Sequence, residues 1–341
     1  MEKKVHVIRD NGEGVEATAP IIVSASRSTD IPGFYSDWFL SRLKKGYSAW
    51  TNPFNGVKSF VSYQNTRLIV FWSKNPRRLL DADGLLDCLD SKRINCYVQY
   101  TLNDYEDEGL EQGVPPIVER IETFKRLARR LGVGKVIWRF DPLILTDSIT
   151  VNVLLDKVKR IGDQLNGYTE KLVFSYADID SYRKVKANLE AGCINYRNFT
   201  EQDMLEFAKG IQQLNKAWGY TIATCGEKID ISQFGIEHNK CVDDDLMIKY
   251  FSDDEALMDY LGVEIRRDDL FSTEPIIIKH KTNKDKGQRA FCGCIASKDI
   301  GEYNTCAHLC EYCYANASKK IALRNLERNR QNPYGETITG E

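Results

Sequence analysis

Short, nearly continuous apolar runs separated by amphipathic stretches dominate the first two thirds of the chain. Ile21-Ile-Val-Ser-Ala25, Leu68-Ile-Val-Phe-Trp72, Ile94 to Tyr100, Lys135 to Trp138, Leu172-Val-Phe174 and Tyr220-Thr-Ile-Ala223 have the pattern of parallel strands buried on both faces. Between them, apolar residues recur at helical spacing. Tyr35, Trp38, Phe39 and Leu43 mark one helix, closed by Gly46, and a second is expected over about 77–90. Pro115-Pro116 opens a helix with Ile117, Ile121, Phe124, Leu127 and Leu131 on one face. Leu154, Val158, Ile161 and Leu165 mark the next. Thr200-Glu-Gln-Asp203 has the form of a capping box before Met204, Phe207, Ile211, Leu214 and Trp218. Tyr47-Ser-Ala-Trp50 reads as a further strand of the same kind. At least six strand-then-helix units predict an α/β chain with a mainly parallel sheet. The length favours a (β/α) barrel, TIM-like or partial, over an open sheet.

The flanks differ. Val5-His-Val-Ile8, the turn signal Asp10-Asn11-Gly12 and Val15 onward predict a hairpin, so residues 1–20 read as an appendage to a barrel over 21–228. Residues 177–199 form a long charged connection, long enough for a lid. After 228 the periodicity gives way to Cys- and His-bearing loops, the acidic Asp243-Asp-Asp245 and a basic stretch from Lys279 through Lys281, Lys284 and Lys286 to Arg289. Residues 229–328 are read as a cysteine-rich region that completes the barrel and ends in a basic helix over about 316–328. Residues 329–341 are expected to fray.

Composition narrows the class. Apolar residues are 42% of the 341 and charged residues 28%, and Lys+Arg against Asp+Glu gives 47 − 49 = −2. Net charge therefore gives no argument for nucleic acid or membrane as partner. No apolar run reaches the length of a membrane span, and Met1-Glu-Lys-Lys-Val-His6 lacks a signal-peptide core. A cytoplasmic location follows as the expectation. In that compartment ten cysteines point to metal ligation or redox chemistry rather than disulfides. Cys88 and Cys96, among apolar neighbours, read as small buried hydrophobes.

The densest chemistry is Cys306-Ala-His-Leu-Cys310-Glu-Tyr-Cys313. Cysteines at this spacing suit three irons of a [4Fe–4S] cluster, with the fourth left open. The amino and carboxylate groups of S-adenosylmethionine are the natural ligand for that iron, and its reductive cleavage starts radical chemistry. Tyr312 is placed to shield such a cluster from water, while His308 reads as solvent-facing. The alternative is a structural zinc held by the same thiolates and a fourth ligand. A second set, Cys225, Cys241, Cys292 and Cys294, could hold zinc or an auxiliary cluster, with His238 able to replace one cysteine.

Polar residues just past the strand ends would converge on one mouth of a barrel. These are Arg27, Asp30, Asn52, Lys74, Asn75, Asn103, Asp104, Arg139, Asp141, Tyr176 and Glu227. Arg27, Asp30, Arg139 and Asp141 are the candidates for catalysis. Asn52, Asn75 and Glu227 are the candidates for cofactor binding.

The Cys-x3-Cys-x2-Cys motif with its aromatic resembles the cluster motif of radical S-adenosylmethionine enzymes. The resemblance implies a full or partial barrel, S-adenosylmethionine as cofactor and an electron donor such as a ferredoxin or flavodoxin. Cys225-Gly-Glu227 is similar to the Gly-Gly-Glu segment that binds the methionine amino group in those enzymes. There the motif follows the first strand, whereas here only 28 residues follow Cys313. A circularly permuted order reconciles the two: a strand near Phe291–Ile295, the cysteine loop and the final helix would sit in space before Ile21 and close the barrel.

The layout is also similar to the bacterial family grouped as domain of unknown function 1848. The similarity rests on Ser24-Ala-Ser-Arg-Ser-Thr-Asp-Ile-Pro32, Thr51-Asn-Pro53, Phe71-Trp-Ser-Lys-Asn-Pro76, Arg139-Phe-Asp-Pro142 and Cys292-Gly-Cys294 through Cys313-Tyr-Ala-Asn316. It supplies no substrate. Two further readings stand beside the radical enzyme. One is a zinc-stabilised barrel acting as a binding module or hydrolase. The other is a nucleic-acid or repair protein using the basic run and last helix.

Overall fold

The computed structural model describes residues 3–52, 55–266, 276–289 and 291–340. Pro53, part of one motif above, lies outside the described residues.

Strands β1 (Lys3–Ile8) and β2 (Gly14–Ala19) form the expected antiparallel hairpin. β3 (Ile22–Ala25) opens the main sheet and leads to the short α1 (Ile31–Phe34), then α2 (Ser36–Lys45), which Gly46 ends in the left-handed conformation. β4 (Tyr47–Thr51) and β5 (Lys58–Ser62) stay outside that sheet. They pair antiparallel with each other, and β5 adds to β2, giving a side sheet in the order β1-β2-β5-β4. Tyr47–Trp50 is thus not another parallel unit. The connection from β4 to β5 is too short for a parallel crossover, which needs about a dozen residues.

The expected alternation then resumes with β6 (Leu68–Ser73), α3 (Leu85–Lys92), β7 (Asn95–Thr101), α4 (Ile117–Leu131) and β8 (Val136–Leu143). After β9 (Leu145–Thr146) come α5 (Val151–Leu165) and β10 (Lys171–Tyr176). The charged connection contains α6 (Arg183–Ala191) and β11 (Tyr196–Arg197), which pairs with β9. Thr200 and Asp203 form the full capping box of α7 (Glu201–Trp218), followed by β12 (Thr221–Thr224) and β13 (Ile236–His238).

Beyond 228 the chain is more regular than its sequence suggests. α8 (Asp244–Phe251) and α9 (Glu255–Leu261) lead to the ribbon of β14 (Val263–Arg266) and β15 (Ile276–Lys279), then to β16 (Lys298–Asp299) and α10 (Lys319–Gln331). Asp243 and Asp254 accept hydrogen bonds from the first-turn amides of α8 and α9. The acidic runs that look like solvated loop are therefore helix starts.

Eight parallel strands run in the order β13-β12-β10-β8-β7-β6-β3-β16. The sheet does not close, so the TIM-like barrel is not what forms. Alternation along the strands gives two buried faces. Ile69, Phe71, Val98, Trp138 and Phe174 face the helices α2 to α5 and α7. Ile22, Leu68, Val70, Tyr97, Ile137 and Val173, which would line a barrel's interior, are covered by Met247, Phe251, Leu257, Met258 and Leu261. This lobe enters from the amino ends of the strands, where Arg67 and Asn95 hold Asp254, and Lys171 holds Asp243.

The permuted order is present in local form. β16 pairs parallel with β3, Lys298 opposite Val23 and Asp299 opposite Ser24, at the sheet edge preceding the first strand. It lies a few residues after Phe291–Ile295, and it edges the sheet rather than closing it. The terminal residues do not fray. Glu336 bonds Arg9 and Tyr47, and the Trp38 indole donates to the Gly335 carbonyl.

The inner-face lobe makes a direct prediction. Leu257→Ala, at a fully buried position, should cost about 2–5 kcal/mol in urea unfolding. Leu323→Ala, on the exposed side of α10, should stay within about 0.5 kcal/mol.

Candidate metal centres at the carboxyl ends of the sheet

The loop between β16 and α10 carries Cys306, Cys310 and Cys313 across the carboxyl ends of β3, β6 and β7. Its principal anchor is Asp30. Oδ1 accepts from the Gly33 amide at 2.8 Å and the Ser73 hydroxyl at 2.7 Å, and Oδ2 accepts from the Lys74 amide at 2.8 Å. Oδ2 also meets His308 Nε2 at 2.6 Å. Burial pushes the Asp30 carboxyl up, but its charge interaction and hydrogen bond with His308 outweigh this and hold it below the usual range. Asp30 is thus a brace for the cysteine loop. His308, expected at the surface, is buried under Phe34 at a ring separation of 4.6 Å. The expectation treated it only as a polar residue in a loop. Its partner lies 278 residues away, with no local signal.

A second anchor comes from the segment after β7. Gly113 donates to the His308 carbonyl at 2.8 Å, and Glu111 and Cys310 form an antiparallel bridge. A Cβ on Gly113 would lie 2.5 Å from the Ala307 carbonyl oxygen, so this approach needs glycine. Glu111 Oε1 accepts from Lys74 Nζ at 2.7 Å and Asn103 Nδ2 at 3.2 Å, and also from the Tyr312 hydroxyl. Lys74 and Asn103 reach the same hydroxyl, at 2.9 and 3.0 Å. Burial raises the Glu111 carboxyl, yet the Lys74 ammonium and Arg120 guanidinium prevail and hold it at about 2. Glu111 was missed because it follows an acidic run, Glu106 to Glu108, that reads as solvated loop.

The thiols are deeply placed. Burial pushes Cys306 up to about 12, helped by the charge of Asp30. Cys310 is raised well above its ordinary value by burial, against the pull of Lys74. Cys313 is half-buried. Among the described residues, the only three candidate ligand atoms within 4.8 Å of one another belong to Asp243, Asp244 and Asp245. These cap α8 and pair with Lys171, Lys240 and Lys279. Three thiols on one short loop are the donor set that a [4Fe–4S] cluster with one open iron would use.

The second cysteine set also assembles. Cys225, just past β12, has its sulfur 3.5 Å from that of Cys241, past β13. Cys294 accepts from the amides of Cys241 at 3.1 Å and Val242 at 3.5 Å. Cys292 lies two residues before Cys294 on the same loop. Neighbouring thiols pull Cys241 and Cys292 down, Cys292 to about 6, and neighbouring thiols and burial push Cys225 and Cys294 up. His238 lies on β13 with an exposed side chain.

The remaining expected residues divide between these centres. Arg139 donates to Cys241 Sγ at 3.1 Å and to Gln99 at 3.2 Å, and pairs with Asp141, which also accepts from Ser175. Arg27 lies over the Trp72 ring at 5.1 Å. Glu227 accepts from the Tyr176 amide at 2.9 Å, and burial pushes its carboxyl up to about 7. Asn75 follows Lys74, its amide on Ser73. Asp104 pairs with Arg160. Asn52 ends β4 of the side sheet, so the parallel strands do not carry it to the mouth.

Asp30→Ala strands the donors of Ser73, Lys74, Gly33 and His308. We expect a loss of about 3–5 kcal/mol in denaturant unfolding, as for one partner of a buried pair. Limited proteolysis should then cut first between residues 303 and 315. Cleavage elsewhere, or wild-type stability, would show that the loop does not hang on Asp30.

Against known proteins, a solved structure from Bacteroides thetaiotaomicron VPI-5482, a candidate alpha-L-fucosidase, is similar at 11% identity. The match covers 57% of this chain and 84% of that one, at a TM-score of 0.26. No curated protein matches. The family model described as Domain of unknown function (DUF1848) matches residues 22–315, which takes in the sheet and both cysteine sets. The chain belongs to the DUF1848 family.

Proposed function

We propose that the protein is an iron–sulfur enzyme of the radical S-adenosylmethionine type, with a [4Fe–4S] cluster on Cys306, Cys310 and Cys313. One observation carries this reading. A strand, a three-cysteine loop and a helix dock at the edge before β3, which brings one buried and two half-buried thiols to the carboxyl ends of the strands. Such ends are where α/β sheets place their chemistry. Cys306, Cys310 and Cys313 would hold the group, which when bound would supply the electron for reductive cleavage of S-adenosylmethionine.

The chain's own residues have definable tasks there. Asp30 and Gly113 fix the loop through His308. Lys74 places positive charge near Cys310 and offsets part of the burial that disfavours its thiolate, while Arg120 answers Glu111. Tyr312, held by Glu111, Lys74 and Asn103, and Phe34 over His308 keep water from the loop. Asn75, next to Lys74 at the end of β6, is the expected cofactor contact nearest in sequence to residues that meet the loop. Glu227 lies two residues from Cys225 and belongs to the side of the second cysteine set. Arg27, Arg139 and Asp141 belong there too. The substrate is left to the mouth between the two sets.

Anaerobic reconstitution with iron and sulfide should give four irons per chain at this loop and broad visible charge-transfer absorption. With reductant and S-adenosylmethionine, the product should be 5′-deoxyadenosine. Cys310→Ala should abolish the absorption from this site and the product together. A colourless, iron-free protein, or 5′-deoxyadenosine formation that survives Cys310→Ala, would reject the assignment.

A further inference from the structure

We propose that Cys225, Cys241, Cys292 and Cys294 form a separate metal site that takes one thiophilic divalent ion, zinc or ferrous iron, in a four-thiolate shell. The site stands independently of the loop at Cys306–Cys313. Three segments far apart in sequence deliver its sulfurs: the ends of β12 and β13 and the approach to β16. They run in series: the Cys225 and Cys241 sulfurs meet at 3.5 Å, the Cys241 amide donates to the Cys294 sulfur at 3.1 Å, and Cys292 lies two residues before Cys294. The two inner members are buried and the two end members half-buried. No three of these sulfurs lie within 4.8 Å of one another, so ligation of one ion requires the two end side chains to turn inward. The 3.5 Å separation of Cys225 and Cys241 matches the edge of a tetrahedron with bonds of about 2.3 Å. A four-iron cube would hold these two sulfurs further apart.

The surroundings are built for anionic sulfur. Cys294 receives two backbone N–H groups, and Cys241 receives Arg139 Nη1 at 3.1 Å and Asn239 Nδ2 at 3.3 Å. Four thiolates around a divalent ion carry a net charge of 2−, and two guanidiniums stand beside the set. Arg139 is 4% exposed. Arg27 has a buried Nη2 with no hydrogen-bond partner. Asp141 already answers Arg139, and Arg27, though near Asp299, has this one donor free to meet the thiolates of Cys241, Cys292 and Cys294. On binding, each thiol loses its proton to solvent and the ion undergoes no redox change.

The consequence is structural. After β13, α8 and α9 fill the inner face, and Cys292 and Cys294 precede β16, the strand that carries the Cys306 loop. A metal joining Cys225 and Cys241 to Cys292 and Cys294 fastens both ends of the lobe to the sheet, and so fixes β16 beside β3.

The test uses the full chain with Cys306, Cys310 and Cys313 all changed to Ala, which removes the other centre. Purified from medium with zinc and iron, this protein should hold one equivalent of divalent metal and no sulfide. Exchange to cobalt should give the visible spectrum of a tetrahedral four-thiolate ion, and chelation should lower Tm. Adding Cys241→Ser should remove the metal, whereas Cys193→Ser, at an exposed cysteine outside the set, should not. If the Cys241→Ser chain does not fold, the cobalt spectrum of the parent decides. No bound metal in the parent, four irons with sulfide, a cobalt spectrum of two thiolates or fewer, or metal unaffected by Cys241→Ser in a folded chain would each overturn the proposal.

Discussion

One buried carboxylate holds the functional end of this protein together. Asp30 starts α1, receives the Ser73 hydroxyl and the Lys74 amide from the end of β6, and grips His308 of the cysteine loop. A buried carboxylate is costly unless its lone pairs are filled, and here four donors fill them. The arrangement is cooperative in a simple sense. Removing any one segment leaves the charge short of a donor, so β3, β6 and the chain's last sixty residues are bound to a common geometry. The loop's thiols inherit their positions from it.

The other constraint is the inner face of the sheet. Strands this apolar on both sides need two cover layers. The amphipathic helices between strands provide one, and the lobe of α8 and α9 provides the second. The lobe occupies the space a closed barrel would enclose, which explains why the sheet ends in two edges. It also sets the charge arrangement above it. Arg139 and Arg27 project toward the sulfurs of the lobe's two ends, while Lys74 and Arg120 serve Glu111 at the neighbouring loop. Two cationic environments thus sit beside two sets of thiols.

Much of this architecture is legible in the sequence. The six parallel strands announce themselves because burial on both faces leaves continuous apolar runs, and the helices over 117–131 and 201–218 because their apolar stripes and caps agree. The misses have physical causes. Asp243 and Asp254 look like solvated charge, yet they cap helices too short for a clear period. β16 has only Lys298 and Asp299, and its pairing with β3 is set by Gly301, Ser26 and Asp299 contacts rather than by an apolar run. The tail from Tyr334 to Ile338 is polar but buries Glu336 against Arg9 and Tyr47 across more than 280 residues. At the carboxyl ends, strand-end position is enough to collect Arg27, Asp30, Lys74 and Arg139 beside the cysteines, though not Asn52. It could not show that Asp30 braces, that His308 is its partner, or that Glu111 organises Tyr312, because each depends on a contact remote in sequence.

We propose that Cys306, Cys310 and Cys313 hold a [4Fe–4S] cluster with one iron open to S-adenosylmethionine. Electron paramagnetic resonance of the reconstituted, chemically reduced protein tests it most directly. A reduced cluster signal whose g-values shift when S-adenosylmethionine is added is the predicted result, since only ligand binding at an open iron perturbs it in this way. A cluster signal unchanged by S-adenosylmethionine, or no cluster signal at all, would contradict the account.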